Sequence, residues 1–289
     1  MIGGSVSMDD KMYWEKVIDL PLPENIYLGP HVKCIESKMQ NRTYFANWYP
    51  SDSEENYKIY KQNRSVYSDK FGYDMNKHGF RCDELETFNT ENTELNLLVF
   101  GCSYTWGTGL PENETWPVIL SKMLSRKYSK KCNVINLSIP GGSYSDIDRI
   151  SNYIDMFKTD FICVLFPPIM RKIFINDDGL FDTLTPGMKL NKKTRNLDIF
   201  EKMCLYSKNT FSYEEAVITK KLECFAKLKK SKFFAMNSTD PYNDDITTEI
   251  NELAKASEIR VVTDKARDYL HHGNQFQLRI ALDMYENII

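Results

Sequence analysis

The sequence predicts an α/β fold built on a parallel sheet. From about residue 95, short apolar runs alternate with segments of helical periodicity, the pattern of strand–helix–strand units. Several runs end in turns rich in glycine or proline, as strands do at the carboxyl edge of open α/β sheets, where such folds keep their sites. At 289 residues the chain has room for one large core, or for a core with an appended subdomain.

The first strand is expected at about 96–101, where Leu97, Leu98, Val99 and Phe100 form the continuous apolar run of a strand covered on both faces. Glu114-Thr115-Trp116-Pro117 opens a helix, with proline in the first turn where no amide partner is lost. Trp116, Ile119, Leu120, Met123 and Leu124 recur at helical spacing and should pack on the sheet. The second strand is Asn133–Leu137; a Pro-Gly-Gly turn and a helix from about Tyr144 follow, with Ile147, Ile150, Ile154 and Phe157 on one face. The third strand, Phe161–Phe166, ends in Pro167-Pro168. A helix carrying Ile218, Leu222 and Phe225 leads to a fourth strand, Lys232–Met236, and a fifth is expected at Ile259–Val262. The last helix carries Phe276, Ile280 and Met284. The expected sheet therefore has five parallel strands.

Two parts lie outside this core. Residues 1–94 are rich in Tyr, Asn, Ser and charge, and Trp14 and Trp48 imply order, so the segment reads as an N-terminal extension packed on a domain spanning 95–289. The stretch of about 167–210, with Gly179, Pro186 and Gly187, reads as a cap-like insertion above the carboxyl edge, or as a structural excursion or partner surface. There is no internal repeat.

Composition narrows the function classes. Thirty-seven basic and 40 acidic residues give a net charge of −3, so no overall field favours nucleic acid. The run Lys220, Lys221, Lys227, Lys229, Lys230, Lys232 reads as a solvated helical face. Seven scattered cysteines form neither a metal-type pair nor a disulfide framework, which fits a reducing compartment. Met1–Leu20 lacks a signal-peptide pattern, and no run approaches the ~20 apolar residues of a membrane helix. The expectation is a cytoplasmic protein; oligomeric state is not legible.

Two short segments carry chemistry. Gly101-Cys102-Ser103 follows the first strand, which would deliver a serine to the sheet edge; the plain alternative is a Gly-Ser turn. Far along the chain stands Asp268-Tyr269-Leu270-His271-His272-Gly273, holding two of the four histidines. An aspartate three residues before a histidine can hold one imidazole nitrogen and leave the other for a nucleophile, since a serine hydroxyl needs such a base and the base an orienting partner. The plain alternative is a polar helix-entry loop with Asp268 as a cap.

Together these segments resemble the SGNH, or GDSL-like, serine hydrolases. Gly101-Cys102-Ser103-Tyr104-Thr105-Trp106-Gly107 is similar to the family's Gly-Asp-Ser-x-Thr-x-Gly block, and Asn136 through Ser143 to its second block, an Asn followed by a Gly. Asp268 through Gly273 resembles the final Asp-x-x-His block, and Asn76-Lys77-His78-Gly79-Phe80-Arg81 an Asn-x-x-Gly-x-Arg element seen ahead of the serine in many bacterial and viral members. The resemblance spans roughly residues 76–287. It implies a flavodoxin-like three-layer α/β/α fold and an esterase acting on a small-molecule or glycan ester, such as an O-acetyl group on a sugar, with no metal or organic cofactor. It also implies Ser103 as nucleophile, His271 as base, Asp268 as orienting acid, and the amides of Ser103 and Gly141 as the oxyanion hole. His272 takes the place where many members have proline.

The chain departs from the family twice. Cys102 replaces an aspartate outside the triad; as an alternative nucleophile it would have to face the base, whereas in the family geometry this position points away. The Gly-x-Asn-Asp block is absent, and Phe166-Pro167-Pro168-Ile169-Met170-Arg171 stands in its place. Arg171 and Asn237, which both follow expected strands, are candidate substitutes for the missing oxyanion or substrate contact. Loss of that block also leaves open a catalytically silent binding or structural protein.

Overall fold

The computed structural model describes residues 45–46, 52–61, 71–76, 79–89, 94–152, 157–167, 172–175, 181–184, 208–238, 248–259, 265–268 and 271–289. Its centre is a parallel sheet of β3 (Leu95–Phe100), β4 (Cys132–Asn136), β5 (Phe161–Phe166) and β8 (Lys232–Asn237), in the order β4-β3-β5-β8. The first strand of the sheet lies between the second and third, the reversal point at which open α/β sheets hold their ligands. Among the described residues the sheet has four strands. The expected fifth, Ile259–Val262, lies outside the described residues beyond Ile259.

The apolar runs are continuous because both faces of the sheet are covered. Leu98 and Phe100 of β3, with Ile162, Val164 and Phe166 of β5, pack against α4 (Tyr144–Ser151) and α5 (Lys208–Lys229) through Ile147, Ile150, Ile218 and Leu222. Leu97 and Val99, with Cys163 and Leu165, face α3 (Trp116–Tyr128), α6 (Thr248–Ala256) and α7 (Asn274–Ile288). These two buried clusters make the architecture three-layered, α/β/α, as expected. The helix starts follow local chemistry: α3 carries Pro117 in its first turn, and α4 opens on a capping box in which Ser143 accepts from the Asp146 amide and Asp146 from the Ser143 amide.

The residues ahead of β3 share this core. Phe80, Leu85 and Phe88 belong to the same buried cluster as β3 and β5. β1 (Phe45–Ala46) and β2 (Tyr73–Asp74) pair antiparallel, with α1 (Glu54–Lys61) between them in the chain. Within the stretch expected as a cap, β6 (Lys172–Ile175) and β7 (Phe181–Leu184) form an antiparallel hairpin, and β6 runs beside α4. Trp14 and Trp48 lie outside the described residues. Among those described, five cysteines are free, and no helix is long and apolar enough to cross a membrane.

Candidate active site

Where β3 ends, the chain turns at Gly101 into α2 (Ser103–Trp106), capped by extended Cys102. The Cys102 carbonyl accepts from the Thr105 and Trp106 amides at 3.0 and 2.9 Å. A Cβ on Gly101 would collide with the Thr105 side chain and lie 2.9 Å from the Leu165 carbonyl oxygen, so only glycine fits this turn. The Cys102 side chain is fully buried, whereas Ser103 keeps a small exposed area. A nucleophile at Cys102 finds no opening in that arrangement.

The Asp268–His271 segment packs against this turn through Tyr104. His271 Nδ1 lies 2.6 Å from Asp268 Oδ2, and the His271 amide donates to Asp268 Oδ1 at 3.1 Å. With Nδ1–H given to the carboxylate, Nε2 is left as an acceptor. Asp268 is fully buried, and its imidazole partner is 16% exposed, which keeps one edge of the ring reachable. The Tyr104 ring, next in sequence to Ser103, meets the His271 ring edge-on at 5.6 Å between centroids. His272 instead stacks on Phe276 at 4.3 Å and lies 5.5 Å from Tyr104. The Arg267 amide donates to the Gly109 carbonyl at 2.8 Å, and a Cβ on Gly109, whose φ is 79°, would meet Ala266 and come within 3.1 Å of Asp268 Oδ1. Tyr104, the neighbour of Ser103, thus joins the serine turn to the Asp268–His271 pair. The Ser103 hydroxyl makes no hydrogen bond among the described residues, so the serine–histidine contact is open here.

The loop after β4 completes the surroundings. The Leu137 and Ile139 amides continue the β3 pairing onto Val99 and Gly101, and a Cβ on Gly142 would lie 3.5 Å from the Gly101 carbonyl. Gly141 has φ 76° with open space around it. The N–H groups of Ser103 and Gly141 have no acceptor among the described residues. Asn136 Nδ2 donates to the Thr105 carbonyl at 3.3 Å, and Ser138 donates to Asn136 Oδ1.

Buried polar side chains hold the far end of α2. Asn76 closes a tight turn by accepting from the Phe80 amide at 3.0 Å. This aims Arg81 at the carbonyls of Trp106, Gly107 and Leu110, at 3.1, 2.9 and 3.0 Å. Gln277 of α7 accepts from the Trp116 amide at 2.8 Å and donates to the Tyr104 carbonyl at 3.0 Å. Sequence reasoning missed Gln277 and the buried residues Asp52, Tyr73 and Arg267. Only Arg267 carried a signal, its place beside Asp268.

Of the two candidate substitutes for the missing block, Arg171 lies outside the described residues. Asn237 ends β8, and its amide donates to Glu215 at 3.3 Å and the Tyr144 hydroxyl at 3.5 Å. Burial, and then the Glu215 carboxylate, push the Tyr144 phenol well above its ordinary range, so it stays a neutral donor. Among the described residues no cluster of His, Cys, Asp and Glu could hold a metal ion. A cavity of about 260 Å³ lies beside the Asn76 turn, lined by Asp74, Asn76, Cys82, Glu84 and Glu112 and by neither Ser103 nor His271.

Fold and site together describe a three-layer α/β protein with an Asp–His pair packed against the turn that carries a serine at the sheet edge. No protein-family model matches the chain, and no curated protein matches it. Solved structures do resemble it. TesA is 16% identical over 67% of this chain and 95% of its own, with a TM-score of 0.36. The psychrotrophic esterase EstA from Pseudoalteromonas sp. is 12% identical over 68% and 96%, with a TM-score of 0.37. An acetylxylan esterase from Geobacillus stearothermophilus is 17% identical over 69% and 96%, with a TM-score of 0.30.

Proposed function

We propose that the chain is a serine esterase of the SGNH type, with Ser103 as nucleophile, His271 as general base and Asp268 as its orienting acid. The observation that carries this reading is the 2.6 Å pair of His271 and Asp268 lodged against the turn that presents Ser103. His271 Nε2 takes the Ser103 proton as Oγ attacks the ester carbonyl carbon. The carbonyl electrons move onto oxygen, where the Ser103 and Gly141 amides are the available donors. Collapse of this intermediate breaks the carbon–oxygen bond to the alcohol, which leaves with the proton from His271. Water, deprotonated by the same imidazole, then attacks acyl-Ser103, and collapse releases the acid and restores the serine. Asp268 stabilises the transient imidazolium throughout. The substrate proposed is a short acyl ester, with an O-acetyl group on a sugar as first choice on the family resemblance. Labelling with a fluorophosphonate probe tests the reading: the modified residue should be Ser103, and Ser103→Ala should abolish both labelling and turnover. Labelling retained by Ser103→Ala and lost in Cys102→Ala would reverse the assignment.

A catalytically silent binding or structural protein is the second reading, supported by the missing Gly-x-Asn-Asp block. Hydrolysis of p-nitrophenyl acetate that depends on Ser103 decides between the two.

A further inference from the structure

A closed ring of buried groups ties the Asp268 segment to the serine turn. The Gly109 carbonyl accepts from the Arg267 amide at 2.8 Å. The Arg267 guanidinium grips Asp52 through Nε at 3.0 Å and Nη2 at 2.5 Å. The Tyr73 hydroxyl donates to Asp52 and accepts from the Gly109 amide at 2.8 Å, which closes the ring. Asp52, Tyr73 and Arg267 are each fully buried. Arg267 also donates to the Phe71 carbonyl at 3.0 Å, with its guanidinium 3.5 Å over the Phe71 ring.

The ring sits where small displacements matter. Arg267 adjoins Asp268 in sequence, and Gly109 belongs to the turn that continues α2. Both backbone polar groups of Gly109 are consumed by it, its N–H on Tyr73 and its carbonyl on Arg267. A buried ion pair contributes little net stability compared with apolar packing, so its retention here calls for a different account. Two-nitrogen recognition by arginine fixes distance and angle together, which a single contact would not.

We infer that Asp52 and Tyr73, from the segment ahead of the sheet, are positioning residues: through Arg267 and Gly109 they hold the Asp268–His271 pair at a set distance from Ser103. This rests on the esterase reading for its kinetic consequence, but not for its structural one. The phenol is suited to the task, because burial and the Asp52 charge push it well above its ordinary range and keep it a donor.

Tyr73→Phe removes one hydroxyl and keeps the ring. The expected result is a kcat lower by about 10- to 100-fold with little change in KM, the scale of loss for misplaced catalytic groups. The readout independent of activity is the imidazole Nδ1 proton of His271, assigned by its disappearance in His271→Ala. It should be a protected downfield resonance in the wild type and should exchange with water about tenfold faster, or broaden away, in Tyr73→Phe. Arg267→Lys keeps the buried charge and loses the two-nitrogen grip; it is the second variant should the first not fold. Leu124→Ala, in the apolar layer under α3, is the control for stability loss alone. An Nδ1 proton unchanged in Tyr73→Phe, lost equally in Leu124→Ala, or never protected in the wild type overturns the inference. Failure of the esterase reading shows up separately, as absent Ser103 labelling in the wild type, and leaves the proton measurement intact.

Discussion

Arg81→Met should cost the fold about 3 kcal/mol, although it touches no proposed catalytic group. Methionine roughly keeps the arginine stem and removes the charged fork. The guanidinium supplies donors to three buried carbonyls, those of Trp106, Gly107 and Leu110. Hydrogen bonds to a charged group contribute about 1.5–3 kcal/mol each, so the gross loss is roughly 4.5–9 kcal/mol. Against this stands relief of the desolvation penalty, several kcal/mol for a buried ion. That penalty is visible in Arg81 itself: burial lowers its pKa from the ordinary value, and its Nε has no partner among the described residues. The balance is a net loss of about 2–4 kcal/mol, which for a chain of this size shifts Tm by roughly 4–16 °C. Urea unfolding and thermal melts at pH 7 read the stability, and fluorophosphonate labelling rate reads the serine turn. Arg81→Lys should recover little, because one ammonium does not span carbonyls served by two separate nitrogens. A stability loss below about 1 kcal/mol in Arg81→Met, or full recovery with lysine, would refute the reasoning.

Other expectations follow from single contacts. Gly101→Ala should destabilise by about 1–3 kcal/mol as an overpacked site and slow probe labelling, since the Leu165 carbonyl at 2.9 Å belongs to a central strand; wild-type values for both would contradict the collision. His271→Ala should reduce ester turnover by several orders of magnitude and His272→Ala far less, because Asp268 bonds His271 while His272 stacks on Phe276; kcat/KM for p-nitrophenyl acetate ranks them, and equal losses count against the assignment. Stability should fall as pH rises above 9.0, because burial pushes the Cys132 thiol from that value to about 12. The folded state holds its proton where the unfolded state releases it, so stability is complete below pH 9.0 and declines toward about 12 at up to about 1.4 kcal/mol per pH unit from this group. Cys132→Ala should flatten that slope in melts between pH 8 and 11; an unchanged slope would show the thiol is not the source.

The sheet was legible because its two central strands carry apolar runs that end at a breaker, Gly101 after Phe100 and Pro167 after Phe166. Phe161–Phe166 shows this best, with apolar side chains on both faces and Pro167 behind it. The first strand begins one residue earlier than expected, at Leu95, because its pairing with Cys132 extends the ladder past Asn96, which interrupts the apolar run. The positions of Ser103, Asp268 and His271 were legible because each lies in a short contiguous motif, Gly101 through Gly107 and Asp268 through Gly273, that resembles a family block. The supports were not. Asp52 sits in an unremarkable polar stretch, and its partner Arg267 is 215 residues away, a separation that no local pattern encodes. Tyr73 and Gln277 are equally silent, since a buried hydroxyl or amide leaves no periodicity. The Asn76–Arg81 element was recognised only by likeness; its physical sense, a turn that aims a guanidinium at helix-end carbonyls, came from the contacts.

Gly109 has a kinetic meaning as well. Its N–H is held by Tyr73 and its carbonyl by Arg267, so this one residue is locked on both sides only after chain segments far apart in sequence have met. Contacts of that span require loop-closure entropy to be overcome first, so they belong to the late events of folding and to the slow class of topologies. Hydrogen exchange at the Gly109 amide is therefore a clock for final assembly: its protection should appear after that of the β3 and β5 ladders during refolding, and its loss should mark the first opening that separates Asp268 from the serine.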